Sequence, residues 1–177
     1  MQTLKIICPN GHLGFAPLRP ESFWIGVDAK PDYIAADSGS DDVGPVPLGS
    51  DTSTSPESWQ RHDLEQMLLA SRKLGVPMII GSSGDTGSNS RVDMFVRIIS
   101  ELARKHGLAK FRLGYFYSEV DKEYLRAKIR SGDAILGLDG FADLTEEELD
   151  ATDRIVASGF AMPLPAMSGA LPWLGSY

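Results

Sequence analysis

Residues 76–106 constrain the possible fold more than any other stretch of this sequence. An apolar run, V-P-M-I-I, is typical of a buried strand and is followed by the small, polar segment G-S-S-G-D-T-G-S-N-S-R and then by an apolar stripe at helical spacing. In α/β folds, ligands bind beyond the carboxyl ends of the strands. Glycine lets the backbone approach a ligand, and free N–H groups at a helix start favour an anion. The pattern therefore predicts a ligand-binding loop over residues 81–91.

Strands and helices are predicted to alternate along the rest of the chain. The strands are expected at Leu4–Cys8, Tyr33–Ala36, Val76–Ile80, Phe111–Tyr117 and Ala134–Leu138. The helices are expected over 21–29, from Pro56 to Leu74 with Gly75 as its stop, from a Ser90 cap to His106, over 121–130, and from a Thr145 capping box toward Val156, with a polar loop over 43–55. This order predicts an α/β fold with a mostly parallel sheet and helices on both faces, in a Rossmann-like three-layer arrangement.

Size and composition indicate one globular domain. The chain has 177 residues, and we expect the domain over 1–158, followed by an apolar tail rich in Pro and Gly over 159–177 that is poorly ordered or packed across an interface. A net charge of -7 argues against a nucleic-acid partner. With one cysteine and neither a signal peptide nor an apolar span, the sequence predicts a cytoplasmic protein with no membrane partner.

Three loops that follow successive strands carry the candidate ligand-binding residues. These are Asn10, Ser38, Ser40, Gly81, Ser82, Ser83, Gly84, Asp85, Thr86, Gly87, Asn89 and Arg91. Because parallel strands end at one edge of a sheet, we expect the three loops to meet there around a small-molecule ligand. The loop over 81–91 has neither the P-loop ending nor the dinucleotide-binding glycine spacing. Its alternative interpretation is a flexible polar connection.

An acidic cluster follows the second predicted strand. Asp37, Asp41 and Asp42 are candidate catalytic residues, one of which could act as a general base. Asp37 and Asp42 are also candidate ligands of a divalent cation cofactor such as Mg²⁺, which prefers hard oxygen ligands. An Asx-rich turn with solvated carboxylates is the alternative.

Asp85 stands in the middle of the glycine-rich loop, where a carboxylate would repel an anionic ligand. We therefore expect Asp85 to share a metal ion with the acidic cluster or to accept a hydrogen bond from a ligand hydroxyl.

The first predicted strand ends in C-P-N-G-H. His12 is a candidate catalytic acid or base, or a ligand-binding residue. Cys8 could serve as a nucleophile paired with it, but a small buried core thiol is the preferred interpretation. Residues 117–119 and Asp139 end the fourth and fifth predicted strands and are expected to rim the same pocket.

Three ordered segments resemble the acyclic terpene utilisation (AtuA-like) protein family. They are N-G-H-L-G-F, then D-Y-I-A-A-D-S-G-S-D-D-V-G-P-V-P-L-G, then V-P-M-I-I-G-S-S-G-D-T-G-S-N-S-R-V-D, within residues 6–156. The resemblance implies a bacterial catabolic role on acyclic terpenes or branched acyl compounds. Family members are longer, so a missing C-terminal domain or a homo-oligomer is expected.

Two functions are compatible with the sequence. The first is a cytoplasmic catabolic enzyme or enzyme fragment, a hydrolase or lyase acting on a small anionic or acyl metabolite. The alternative is a non-catalytic ligand-binding subunit that requires a partner chain.

Overall fold

Parallel pairing of three short strands organises the computed structural model, which describes residues 3–39 and 46–157. β1 (Ile6–Ile7) pairs with β2 (Tyr33–Ala36), and β2 pairs with β3 (Met78–Ile80), so the sheet order follows the chain order. Since parallel neighbours need a crossover connection, helices join the strands. The α/β class and the first three predicted strands are confirmed.

The helices mostly follow the signals in the sequence. They are α1 (Pro20–Asp28), α2 (Val46–Ser50), α3 (Glu57–Leu74), α4 (Asn89–Lys105), α5 (Lys122–Arg130) and α6 (Glu146–Ala151). Gly75 ends α3 in the left-handed conformation that glycine adopts without steric cost, and Thr145 opens α6 with a complete capping box. Among the described residues, no helix is long and apolar enough to cross a membrane.

Several boundaries differ from the prediction, and helix α6 ends at Ala151 without continuing toward Val156. Residues 46–50, expected within a polar loop, form the short helix α2. Helix α4 begins at Asn89 with Ser88, rather than Ser90, as the preceding cap residue. Ser88 occupies the N-cap position through its backbone conformation only. The hydroxyl groups of Ser88 and Ser90 both donate to Asp51 Oδ1, so neither makes a capping hydrogen bond to the backbone of α4.

The predicted fourth and fifth strands are absent from the described structure. Residues 111–117 form no strand, although Phe111, Arg112 and Leu113 line a cavity together with the start of β3. Residues 134–138 instead fold back in a turn, where Leu144 N–H donates to Ile135 O and Phe141 N–H donates to Leu138 O. Asp139 and Gly140 both have positive φ in this exposed turn, as a tight Asp-Gly turn requires.

The core lies between the sheet and helices α3 and α4. Helix α3 contacts α1, α4, β2 and β3. Its inward face and that of α4 bury apolar side chains against the strands, namely Leu64, Met67, Leu68, Phe95, Ile98, Ile99 and Leu102 against Ile34, Ala36, Met78 and Ile80. This packing fixes the positions of the strand ends, from which the candidate site is built.

Candidate functional site

The loops that follow β1, β2 and β3 meet at the carboxyl edge of the sheet, which confirms the predicted convergence for their described residues. Ser38 N–H donates to Gly11 O (2.6 Å), while Gly84 N–H and Asp85 N–H donate to Ser38 O (3.2 and 3.0 Å). Gly84 N–H also lies 3.1 Å from Ser38 Oγ. Ser38, which is fully buried, therefore joins the other two loops.

Two glycines make this close approach possible. A Cβ on Gly81 would stand 2.5 Å from Asp37 O, and a Cβ on Gly39 would stand 2.8 Å from Ser82 Oγ. Since both distances are shorter than real Cβ contacts, a side chain at either position would push the β2 and β3 loops apart. The small residues of these loops therefore serve loop-to-loop packing in the structure.

His12 and Asp85 form the central contact of the site. His12 Nε2 lies 2.5 Å from Asp85 Oδ1, and the two side chains are 13% and 0% exposed. The pair is a close contact and not an aligned hydrogen bond, because buried Asp85 Oδ1 has no hydrogen-bond partner of suitable geometry. The ring of His12 stacks on Phe15 with 5.1 Å between centroids. Among the described residues, no group hydrogen-bonds to Nδ1 of His12.

The other oxygen of Asp85 is fully engaged by the chain that precedes α3. Asp85 Oδ2 accepts hydrogen bonds from Ser53 Oγ (2.9 Å), Thr54 N–H (2.8 Å) and Thr54 Oγ1 (2.9 Å). Gln60, which is also fully buried, donates from Nε2 to Ser53 Oγ at 2.7 Å. A buried carboxylate with three donors on one oxygen is held rigidly, so its other oxygen is fixed toward His12.

The loop that carries His12 is anchored by two polar side chains. Asp63 on α3 is fully buried and accepts from Gly14 N–H and Leu18 N–H, both at 2.9 Å. Asn10 accepts from His12 N–H at 3.1 Å and donates to Ala16 O at 2.8 Å. These bonds fix the backbone on both sides of His12, and Asn10 has this supporting role within the site.

Unusual backbone conformations cluster in these loops. Ser38, Ser83 and Asp85 have φ values of 64°, 41° and 80°, in the left-handed region that L-residues rarely adopt. Each such residue costs of order 1–3 kcal/mol and persists only where its surroundings determine it, typically at functional sites. Two of the strained residues, Ser83 and Asp85, lie in the loop after β3, and Ser38 lies in the loop after β2 that hydrogen-bonds to it.

Most backbone donors of the glycine-rich loop are used inside the protein. Ser83 N–H donates to Gly81 O, Gly87 N–H to Ser82 O, and Ser88 N–H to Thr86 Oγ1. Together with Gly84 and Asp85, which bond to Ser38, these groups are paired within the chain. The loop is a packed part of the structure, with Ser83, Thr86 and Ser88 buried.

The start of α4 is likewise occupied by the protein's own groups. Glu119 Oε1 accepts from Asn89 N–H at 2.9 Å, and Asn89 Oδ1 lies 3.4 Å from Glu119 N–H. A carboxylate at this end complements the helix dipole. Arg91 donates to the backbone oxygen of Asp51 at 3.1 Å and lies 3.8 Å from its carboxylate.

Asp51 links these elements electrostatically. Burial alone would raise the pKa of Asp51, but hydrogen bonds from Ser90 and Ser88 and the charges of Arg154 and Arg91 outweigh it, so the pKa lies below its usual range. Asp51 is therefore ionised at neutral pH and ties the chain after α2 to the start of α4.

The acidic cluster is only partly described. Asp37 is exposed, and its Oδ1 accepts from Ser82 Oγ at 3.2 Å. Ser40, Asp41 and Asp42 lie outside the described residues, as does the predicted tail over 159–177. Within 3–39 and 46–157, no three His, Cys, Asp or Glu side chains are grouped as a metal ion requires. The structure brings His12 to Asp85, but no contact brings Asp37 to either of them.

Cys8 is exposed, so its preferred interpretation as a buried core thiol was wrong. It follows a strand of only two residues at the outer edge of the sheet, where neither face is fully covered. Asp139 lies in the exposed turn described above, and Tyr117 donates a hydrogen bond to Asp93 on α4 at 2.6 Å.

Sequence reasoning missed the groups that support the His12–Asp85 contact. These are Ser53, Thr54, Gln60 and Asp63. The run T-S-T-S over 52–55 was interpreted only as part of a loop, although hydroxyl groups directly before a helix suit a buried carboxylate. Gln60 and Asp63 fall on the inward face of α3, and a polar residue on such a face is a signal that could have found them.

Comparison of the chain with protein-family models, with curated proteins and with solved structures finds no match.

Proposed function

We propose that this protein is an acid–base enzyme, or part of one, in which His12 transfers a proton to or from a small acyl metabolite. The observation that carries the proposal is the contact between His12 Nε2 and the fully buried carboxylate of Asp85. A carboxylate that holds one ring nitrogen leaves the other nitrogen to exchange a proton with a substrate. Asp85 is the residue that orients the ring.

Three further features support an assignment to catalysis. Asp85 is fixed by three donors on its second oxygen, so the ring of His12 is oriented before a substrate arrives. Strained residues surround the contact. The site also lies beyond the carboxyl ends of parallel strands, where α/β proteins bind ligands.

The resemblance to the acyclic terpene utilisation family suggests a branched acyl compound as the substrate class, and a hydrolase or lyase is the reaction class that suits the site. A hydrolase or lyase acting on a branched acyl compound needs a group that accepts and returns a proton, which is the role of His12. We also propose that the three-strand sheet is part of a larger three-layer arrangement. Phe111, Arg112 and Leu113, which line a cavity together with the start of β3, support this extension.

A simple acyl ester tests the proposal. The full chain is incubated with 4-nitrophenyl acetate and 4-nitrophenyl butyrate, and release of 4-nitrophenolate is followed in the wild type and in His12→Gln. General acid–base catalysis contributes about 10²–10⁴-fold, so we expect at least a tenfold loss in the variant. Asp85→Asn should lose activity in the same direction because the ring is no longer held by a charge.

The matched control is His106→Gln. His106 Nε2 also lies 2.5 Å from a carboxylate oxygen, that of Glu65, but at the far end of α4. This variant should keep wild-type activity. Equal ester hydrolysis by the wild type and His12→Gln would show that His12 has no catalytic role.

A non-catalytic subunit is the second candidate function. It is favoured by Leu136, Leu138 and Phe141, which are 77%, 79% and 80% exposed. Exposed apolar side chains this close in sequence are typical of a surface that a partner covers. The mass of the purified chain in solution, measured by analytical ultracentrifugation, tests this alternative. A monomer with His12-dependent ester hydrolysis contradicts it.

A further inference from the structure

A second cavity system lies at the opposite edge of the sheet from His12. It is formed between the ends of α3 and α4, the start of β3 and the segment over 107–113. Two adjoining cavities of about 210 and 600 Å³ share Ile99, Phe111 and Leu113 as their common wall. We call them together the α4 groove. The larger of the two is a shallow groove open to solvent, with a volume in the 300–1,000 Å³ range of ligand pockets.

The lining of the α4 groove is largely apolar. Ile99 and Ala103 contribute from α4, and Leu108, Phe111 and Leu113 contribute from the returning segment. An apolar surface of this shape gains free energy when it is covered by hydrocarbon instead of water.

Cationic side chains surround this apolar lining. Arg104 and Lys110 line the larger cavity, and Arg72 and Arg112 line the smaller one. Among the described residues, none of the four has a carboxylate partner; Arg72 lies over the Phe111 ring and Arg104 donates to Ser100 O. Lys105, one residue further along α4, shows the contrast because Glu65 pairs with it at 2.6 Å.

This concentration of unpaired positive charge is unusual for the chain, whose net charge is -7. We propose that the α4 groove binds an amphiphilic carboxylate, with its acyl chain against Ile99, Phe111 and Leu113 and its carboxylate beside Arg104 and Lys110. The ligand is expected to be an anion, because a carboxylate would pair with the positive charges of Arg104 and Lys110 beside the apolar surface. The apolar lining requires that this anion carry a hydrocarbon chain.

This site is independent of the proposed proton transfer at His12. It lies at the amino end of β3, whereas the His12–Asp85 contact lies beyond the carboxyl end of the same strand. A ligand in the α4 groove therefore occupies a separate site from an acyl compound at His12.

Binding of a fluorescent fatty acid to the full chain tests the proposal. cis-Parinaric acid is titrated into the protein and compared with the corresponding alcohol, which has the same chain without the charge. We expect the acid to bind at least tenfold more tightly than the alcohol. The double variant Arg104→Gln/Lys110→Gln should lose this difference and leave binding of the alcohol unchanged.

Two further variants make the outcome specific. Ser100→Trp places a large ring at an exposed position in the lining of the larger cavity and should block both probes. Lys30→Gln/Lys128→Gln removes the same two charges at exposed positions outside the groove and should change neither. Circular dichroism of each variant verifies that it is folded.

Three results would overturn the proposal. They are equal binding of acid and alcohol by the wild type, an unchanged affinity for the acid in Arg104→Gln/Lys110→Gln, and unchanged binding of both probes by folded Ser100→Trp. A dimer in solution that Ser100→Trp converts to a monomer would instead identify the groove as an interface between copies of this chain.

Discussion

The two parts of the described structure differ in what holds them together. In residues 3–39 and 46–108, which we call the sheet region, nearly all of the buried apolar side chains that the structure describes pack around three paired strands. In residues 109–157, the distal region, Leu149 is the one buried apolar side chain among those described, and α5 buries none of its residues. Caps and ion pairs are as well formed in the distal region as elsewhere. Local signals therefore suffice to form a helix, whereas burial depends on the sheet.

The largest expected difference in stability is between variants of two aspartates that both accept hydrogen bonds from backbone N–H groups. Asp63 in the sheet region accepts from two buried backbone amides, whereas Asp143 in the distal region accepts from the exposed Gly137 N–H. Asp63→Ala leaves two buried donors without a partner and should lower the free energy of unfolding by about 4 kcal/mol. Asp143→Ala should change it by less than about 0.5 kcal/mol. Urea unfolding measures both, and similar losses would contradict the comparison.

A pair of leucines tests burial directly. Leu102 is 1% exposed in the core, whereas Leu138 is 79% exposed in the distal region. Leu102→Ala removes buried methyl groups and leaves a cavity, so we expect a loss of about 3 kcal/mol in unfolding free energy. Leu138→Ala should have no such cost. A similar loss of unfolding free energy in Leu138→Ala and Leu102→Ala would show that Leu138 is buried in solution, which would contradict the comparison.

Acid should weaken the sheet region through two of its carboxylates. Burial alone would raise the pKa of Glu65, but hydrogen bonds and charges from Lys105 and His106 lower it, and the pKa of Asp51 is lowered in the same manner. A carboxylate whose pKa is lower when folded contributes stability above its unfolded pKa, about 4, and loses it as the pH falls through the folded value. Asp51→Asn should therefore cost about 1.5 kcal/mol at pH 7 and progressively less below pH about 4. Urea unfolding at several pH values measures this, and a cost that does not change with pH would contradict it.

The smallest effect is expected for the ion pairs of the distal region. Arg126 contacts Glu123, Glu146 and Asp150, and all of these pairs are near solvent. Salt screens exposed charges, and such pairs contribute little to stability. Arg126→Gln should not measurably shift the urea midpoint at high salt. A clear shift that persists at high salt would show that this network is buried in solution.

Prediction from the sequence succeeded in the sheet region and failed for two strands of the distal region. The strand at Tyr33–Ala36 and the helix that Gly75 ends were predicted closely because both carry a strong local pattern and pack on the core. The strands at 111–117 and 134–138 were wrong because their apolar residues favour a strand but no sheet partner pairs with them here. An apolar run indicates that a segment favours the strand conformation, but it does not indicate which strand would pair with that segment.

The candidate site shows a similar limit. His12 and Asp85 were both named from the sequence, but their contact was not, since it joins loops 73 residues apart through the pairing of all three strands. The groups that hold Asp85 come from before and within α3, which periodicity describes only as a loop and an amphipathic helix. A polar residue such as Gln60 on the inward face of α3 signals that it is buried with a partner, but the local sequence does not say which residue the partner is.

The sheet order has a consequence for how the protein is made. Because the strands lie in the order in which they are synthesised, the chain can add each one to the edge of what has already folded during translation. His12 belongs to the first connection and Asp85 to the third, so a ribosome must release the third strand before the two side chains can meet. A nascent chain that ends before Asp85 therefore exposes His12 without its carboxylate, and assembly of the pair reports that β1, β2 and β3 have paired.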